Sequence, residues 1–386
     1  MPKKRTGSRT EDLLIQPAHV ILFCAVILTL LGIITLFSAS AHSGPDPYFY
    51  LKRQVIWGGI AVLAGIVVSV APLEKSKPLA WIGLALLVVG LILVLIPGIG
   101  VLVNGSRRWL SLGPMRLQVS EFAKLGFVFA LAVYLGANQR HITTFWRGFV
   151  IPLALTGLVS GLIILQPDYG MAALCGAVGF CMMYLAGTRL LYLIPSVMTL
   201  ISLFGVALYL SPTRWRRIIS FLDIEGNRLD GAYQLWQAIL AFGAGGVHGR
   251  GIGNGRQQMA FLPEAHTDFI FAVIGEELGL FFTGGVLLLF AVIFFIGILH
   301  LRRAPNLYQY LLVAGALIVI TFQALINMAV VTGCVPTKGM PLPFISYGGS
   351  NLVATFIVIG LLINTSNSWA KAPLPNKKRN LKEIVA

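Results

Sequence analysis

Asp268 closes the run Leu262-Pro263-Glu264-Ala265-His266-Thr267-Asp268, where two carboxylates, an imidazole and a hydroxyl fall within five residues. The next residue begins a long apolar stretch. A carboxylate at a helix start can simply cap it, and Thr267 could do the same. A carboxylate beside a cavity, with neighbours that tune its proton affinity, can instead act as a general base. Asp268 is therefore the candidate reacting group, with His266 and Glu264 as supporting candidates. Glu276 and Glu277 follow inside the apolar run, where carboxylates are costly and face the protein interior. At 3.6 residues per turn Glu276 lies roughly 80° around the helix from Asp268 and Glu277 roughly opposite. Glu276 is thus the better candidate for the same cavity, while a structural pair with a neighbouring helix fits either residue.

Cationic groups recur near other breaks in the hydrophobic pattern. Asn104-Gly105-Ser106-Arg107-Arg108-Trp109 precedes Ser120-Glu121-Phe122-Ala123-Lys124. Glu121 and Lys124 are spaced i, i+3 and can pair on a helix; Lys124 could also meet a phosphate. Arg214-Trp215-Arg216-Arg217 opens a long polar loop that ends in a Gly-rich stretch, 243–255. That stretch lacks the preceding strand of a dinucleotide fingerprint and reads as a turn lining a cavity. Gln166-Pro167-Asp168-Tyr169-Gly170 reads mainly as a structural turn. Lys338-Gly339-Met340-Pro341-Leu342-Pro343-Phe344-Ile345-Ser346-Tyr347-Gly348-Gly349-Ser350 brings a cation and two hydroxyls to a helix start, where Ser346 and Ser350 could hold an anion.

These residues sit in a chain built for lipid. Of 386 residues, 57% are hydrophobic and 11% charged, against about a quarter charged in soluble domains; the mean hydropathy is +0.83. Apolar runs near the length of a membrane helix recur throughout, and backbone groups in lipid must be satisfied internally. The fold class expected is all-α, a polytopic integral membrane protein with ten transmembrane helices: roughly 18–40, 51–71, 78–97, 120–137, 147–165, 170–187, 190–210, 268–300, 308–331 and 349–367. A large extracytoplasmic loop, about 211–267, separates spans 7 and 8. Residues 1–17 and 368–386 read as cytoplasmic tails around a membrane domain, 18–367, because Lys3, Lys4, Arg5 and Arg9 match Lys377, Lys378 and Arg379 across an even span count.

The net charge of +15 fits anionic membrane lipids; no soluble basic domain or motif supports nucleic acid. Arg53, Arg107, Arg108, Arg116, Arg217 and Lys338 fall on the outer face against the charge bias, which points to an anionic ligand there. Cys24, Cys175, Cys181 and Cys334 suggest neither a metal site nor a disulfide framework.

Together, 262–279, 338–350, 166–170 and 105–124 resemble the SEDS family of shape, elongation, division and sporulation proteins, over essentially all ten spans. The versions Pro263–Asp268 and Pro341–Ser350 are most similar to its division branch, FtsW, rather than to RodA. The resemblance implies a peptidoglycan glycosyltransferase that polymerises lipid II, a disaccharide-pentapeptide on undecaprenyl pyrophosphate, at the outer face of the cytoplasmic membrane of the division septum. It implies a class B penicillin-binding protein (FtsI) as transpeptidase partner, with the FtsQ–FtsL–FtsB complex and FtsN above it. The family's loop aspartate falls on Asp268, its loop arginine on Arg108, and its span-four acid and base on Glu121 and Lys124. Val119 and Ile224 stand where the family usually has Pro, and Gln258 where it often has Lys, a role Arg256 could take.

The chemistry so implied is inverting: the GlcNAc 4-hydroxyl attacks the anomeric carbon, Asp268 takes its proton, and the pyrophosphate leaves against cations. Arg108, Lys124, Arg214, Arg217 and Lys338 are candidates to receive it, with Glu121, Ser346 and His266 also at the substrate. No spacing demands a cofactor, though a divalent cation (Mg or Mn) could share the work. The alternative is a lipid II flippase; transporters often carry internal repeats, and none is evident between the halves.

Overall fold

A computed structural model describes residues 17–40, 46–103, 105–113, 115–256 and 262–370. The expected terminal tails therefore lie almost wholly outside the described residues, as does Gln258. In chain order the elements are α1 (Pro17–Ser40), α2 (Phe49–Val70), α3 (Lys77–Leu95), β1 (Gly100–Val103), β2 (Ser106–Leu112), β3 (Met115–Gln118), α4 (Val119–Ala137), α5 (Ile151–Leu165), α6 (Tyr169–Ala186), α7 (Leu190–Tyr209), α8 (Pro212–Leu222), α9 (Tyr233–Gly245), α10 (Ile270–Leu301), α11 (Leu307–Val331) and α12 (Gly349–Ala370).

Among the described residues nine helices are long and apolar enough to cross a membrane: α1 to α6, with α5 extended back to Trp146, and α10 to α12. The seventh expected span corresponds to α7, whose described apolar part, Leu190–Val206, is shorter. The apolar 18-residue stretches of α12, α11 and α4 are 78%, 72% and 61% buried, whereas that of α2 is 17% buried. The first three thus form the core of the bundle, and α2 presents one stripe to it. That stripe packs on α12 through glycines, as close-packed membrane helices do: a methyl group on Gly360 would come within 2.2 Å of the Gly65 carbonyl oxygen. One turn further along, Asn364 donates to the carbonyls of Val68 and Ala71 at 2.8 and 2.7 Å.

Two features were not foreseen. The residues between α3 and α4 form an antiparallel three-stranded sheet in the order β1-β2-β3. Gly105 and Gly113 take positive φ at its two turns, which a residue without Cβ does at no steric cost. The 211–267 loop also folds, into the amphipathic α8 and the partly buried α9.

The Gly-rich stretch, which begins at the end of α9, braces a break in α10. Gly279 interrupts that helix at φ 76°, ψ −169°. The freed backbone groups are met by the glycine segment: Arg250 N–H donates to Glu276 O at 3.0 Å, Gly251 N–H to Glu277 O at 2.9 Å, and Leu280 N–H to Gly246 O at 3.0 Å. Such a break survives in an apolar environment only where neighbours satisfy its backbone.

Candidate active site

Helix alternation brings the start of α2, the sheet, the α5–α6 turn, α8–α9, the start of α10 and the segment before α12 to one end of the bundle. There, residues 262–269 make a series of turns into α10. The N-cap position is Phe269, and no side chain caps it. Thr267 Oγ1 donates instead to the Glu264 carboxylate at 2.8 Å. Asp268 is therefore not spent as a helix cap.

The segment before α12 holds the Asp268 turn in place. Ser346 Oγ donates to Thr267 O at 2.6 Å and accepts from Leu342 N–H at 2.7 Å. Tyr347 N–H donates to His266 O at 3.0 Å. Asn327, on α11, donates to Asp268 O at 2.8 Å and to Met340 O at 2.7 Å. The Asp268 backbone is thus fixed from α11 and from the 340–347 segment, and its carboxylate lies against Gly339.

The carboxylate opens into a cavity of about 400 Å³ whose wall includes Asp268, Glu264, Lys338, Arg216, Arg217 and Tyr233. Burial pushes the Asp268 carboxyl up to about 7, with the charges of Glu264 and Asp168 adding to it and Arg108 opposing. A carboxylate so tuned holds a proton near neutral pH. Arg216 is paired with Asp230 across the α8–α9 connection. Lys338 lies along Gly170, where a methyl group would fall 2.0 Å from its Cε, and its ammonium sits 5.6 Å from the centre of the Tyr169 ring. Arg108, on β2, reaches the same α5–α6 turn. Its Nη2 donates to Pro167 O at 2.7 Å, its Nε to Gln166 O at 3.3 Å, and Nη1 stands 3.5 Å from Asp168 Oδ2.

Five of the expected site residues are held by protein partners, and Glu121 and Lys124 make the internal pair that their spacing allows. Lys124 is enclosed in the bundle with its ammonium 2.5 Å from Glu121 Oε2 and 2.6 Å from Gln323 Oε1. Gln323 continues to Pro341 O and Asn351 Oδ1, both at 2.9 Å, so Glu121 and Lys124 brace the 338–351 segment from below and do not face the cavity. The buried Ser346 hydroxyl is engaged by backbone partners, Thr267 O and Leu342 N–H. His266 packs against both Tyr50 and Tyr347, with ring centres 4.5 and 5.9 Å away, and burial lowers its proton affinity. Glu276 accepts from Arg256 N–H at 2.9 Å against the glycine segment, not in the Asp268 cavity; neighbouring Glu277 accepts from Ser38 at 2.6 Å. Arg214 lies on α8, and its side chain is outside the described residues.

The residues that position this site but drew no notice in the sequence are Asn327, Gln323 and Gly339. Asn327 and Gln323 are polar residues one turn apart in an apolar helix, which was the available signal.

The family model described as "Cell cycle protein" (FTSW_RODA_SPOVE) matches residues 18–371. The chain belongs to the FtsW/RodA/SpoVE family. Among FtsW/RodA/SpoVE relatives, the protein named "Probable peptidoglycan glycosyltransferase FtsW" of Saccharophagus degradans is 39% identical over 352 residues, covering 88% of this chain and 90% of the relative. Stage V sporulation protein E of Bacillus subtilis is 38% identical over 91% of this chain and 97% of its own length. Of solved family structures, a chain reported under "Structural coordination of polymerization and crosslinking by a peptidoglycan synthase complex" has a TM-score of 0.74 at 28% identity, covering 91% of this chain and 98% of that one. The rod shape determining protein RodA of Thermus thermophilus has a TM-score of 0.68 at 29% identity, covering 91% and 97%.

Proposed function

We propose that this chain is a peptidoglycan glycosyltransferase that polymerises lipid II into β-1,4 glycan strands for the division septum, with Asp268 as its general base. The observation that carries the reading is a carboxyl with a proton affinity near neutral pH at the wall of a 400 Å³ cavity that also presents Lys338 and Arg217. The activity accords with the printed names of the division relatives.

The incoming lipid II offers its GlcNAc 4-hydroxyl to the anomeric carbon of the lipid-linked strand. As the new C–O bond forms, the hydroxyl proton passes to Asp268 and the bond to pyrophosphate breaks on the opposite face, inverting the centre. A base with a pKa near the working pH combines a large deprotonated fraction with useful basicity. The departing pyrophosphate gathers negative charge, which pre-set cations stabilise. Lys338, Arg217 and Arg108 take this role. Lys124 acts at one remove, by holding the segment that carries Lys338.

The neighbouring synthase complex, whose description joins polymerisation to crosslinking, supports a class B penicillin-binding protein as transpeptidase partner. Action under FtsQ–FtsL–FtsB and FtsN, with both termini cytoplasmic and the cavity facing outward from the cytoplasmic membrane, completes the reading. The test supplies labelled lipid II to the purified chain with its cognate transpeptidase. Glycan strands are expected; movement of lipid II across proteoliposomes without strands would instead make the chain a flippase.

A further inference from the structure

The α5–α6 turn, Gln166 to Gly170, receives both Arg108 and Lys338, although its sequence reads as an ordinary Pro-Asp turn. Asp168 caps α6 with one oxygen only: Oδ1 accepts from Met171 N–H at 3.2 Å. Its second oxygen faces Arg108 Nη1 at 3.5 Å, which is an ion pair too long for a good hydrogen bond. The rest of the guanidinium makes one short bond, from Nη2 to Pro167 O at 2.7 Å, and longer ones to Gln166 O and Ser106 Oγ at 3.3 and 3.4 Å. Among the described residues Nη1 makes no closer contact, so its N–H groups remain able to meet an anion. The Asp168 side chain is 5% exposed and that of Arg108 23%, so the carboxylate is the buried partner and the cation the outward one. Asn would supply the same capping oxygen, and the charge of Asp168 favours the helix start only modestly; the second oxygen has no use in capping.

We propose that Asp168 is a positioning residue for Arg108, holding its guanidinium over the α5–α6 turn so that Nη1 meets the pyrophosphate as it leaves the growing strand. This rests on the glycosyltransferase reading above. Asp168 acts without touching the reacting atoms. Its charge also bears on Asp268, as do those of Glu264 on the same segment and Arg108 on β2; Arg216 and Arg217 on α8, Asp230 before α9, Tyr233 at its start and Lys338 line the same cavity. An anion removed from beside a carboxyl lowers that carboxyl's pKa.

The experiment compares wild type, Asp168→Asn, Arg108→Ala and the double variant, all full length and with the transpeptidase partner. It reads strand synthesis against pH and binding of a prenyl pyrophosphate in detergent. Asn keeps the α6 cap, so thermal stability should stay near wild type. Asp168→Asn should weaken prenyl pyrophosphate binding and slow polymerisation on the order of tenfold to a hundredfold, as misplacement of a catalytic cation does. The acid limb of its pH profile should move to lower pH. The double variant should bind no worse than Arg108→Ala alone, because residues acting as one unit are not additive. Wild-type binding in Asp168→Asn, or losses that add in the double variant, would overturn the proposal in favour of a plain helix cap. If wild type binds the pyrophosphate yet builds no strands, the glycosyltransferase reading fails, while the binding cycle still decides whether Asp168 acts through Arg108.

Discussion

The Asp268 carboxylate rests against the backbone of Gly339, so closely that a methyl group at position 339 would come within 2.5 Å of Oδ2. The atom in the way is the end of a side chain, and it can rotate. Gly339→Ala should therefore leave the fold intact and turn the carboxylate from its position. Strand synthesis is expected to fall on the order of tenfold to a hundredfold with little change in Tm. Gly176→Ala, with nothing within 4 Å of the added methyl, is the matched control.

Asp268 also makes a prediction about pH. A base that titrates at about 7 must lose its proton before it can act, so kcat/KM should rise with pH and reach half its plateau near pH 7. The sign for stability runs the other way. The folded pKa lies above the unfolded value, so the contribution is fully present below the unfolded pKa and is lost as pH rises to about 7. Asp268→Asn removes this loss. Its Tm should match wild type near pH 4 and exceed it most above pH 7, as thermal unfolding across that range would reveal.

Lys124 and Glu121 carry opposite charges in the bundle interior with side chains 2% and 1% exposed. Removing one partner strands the other, at a cost of about 3–5 kcal/mol. Lys124→Ala should lower the Tm of the detergent-solubilised chain sharply, and a Glu121→Leu, Lys124→Met double variant should recover much of it. A Lys124→Ala chain as stable as wild type would mean the pair is not a brace.

Gly279 holds the α10 break at positive φ, and a methyl there would fall 2.4 Å from the Gly249 amide nitrogen. Both the φ and a backbone neighbour oppose a side chain. Gly279→Val should cost about 1–3 kcal/mol from backbone strain alone, seen as a lower Tm, with faster proteolysis in the 246–256 segment that the break anchors.

The spans were legible because lipid leaves a backbone no choice but to close its hydrogen bonds within a helix. The sheet was not, since strands of four to seven residues between two spans carry no periodicity strong enough to read. Asp268 stood out because Glu264, His266 and Thr267 crowd it. The helical wheel left Glu276 open between the Asp268 cavity and a structural partner because it fixes only an angle; the glycine segment whose Arg256 N–H it accepts is a tertiary fact. The second partner of Lys124 was equally hidden. Gln323 lies 199 residues away, and only the packing of α11 on α4 shows that the ammonium is enclosed. Asp168 looked like turn chemistry because its capping oxygen is the one a sequence can anticipate.

The most direct measurement is strand elongation by Asp268→Asn beside wild type, each purified with the transpeptidase partner and shown to be folded by its thermal transition. Asn nearly preserves the side chain's shape and leaves untouched the backbone bond from Asn327, so a lost rate reports lost basicity. The expected result is a fall of about 10² to 10⁴-fold with lipid II still bound. Strands made at the wild-type rate by folded Asp268→Asn would contradict the assignment of Asp268 as the base.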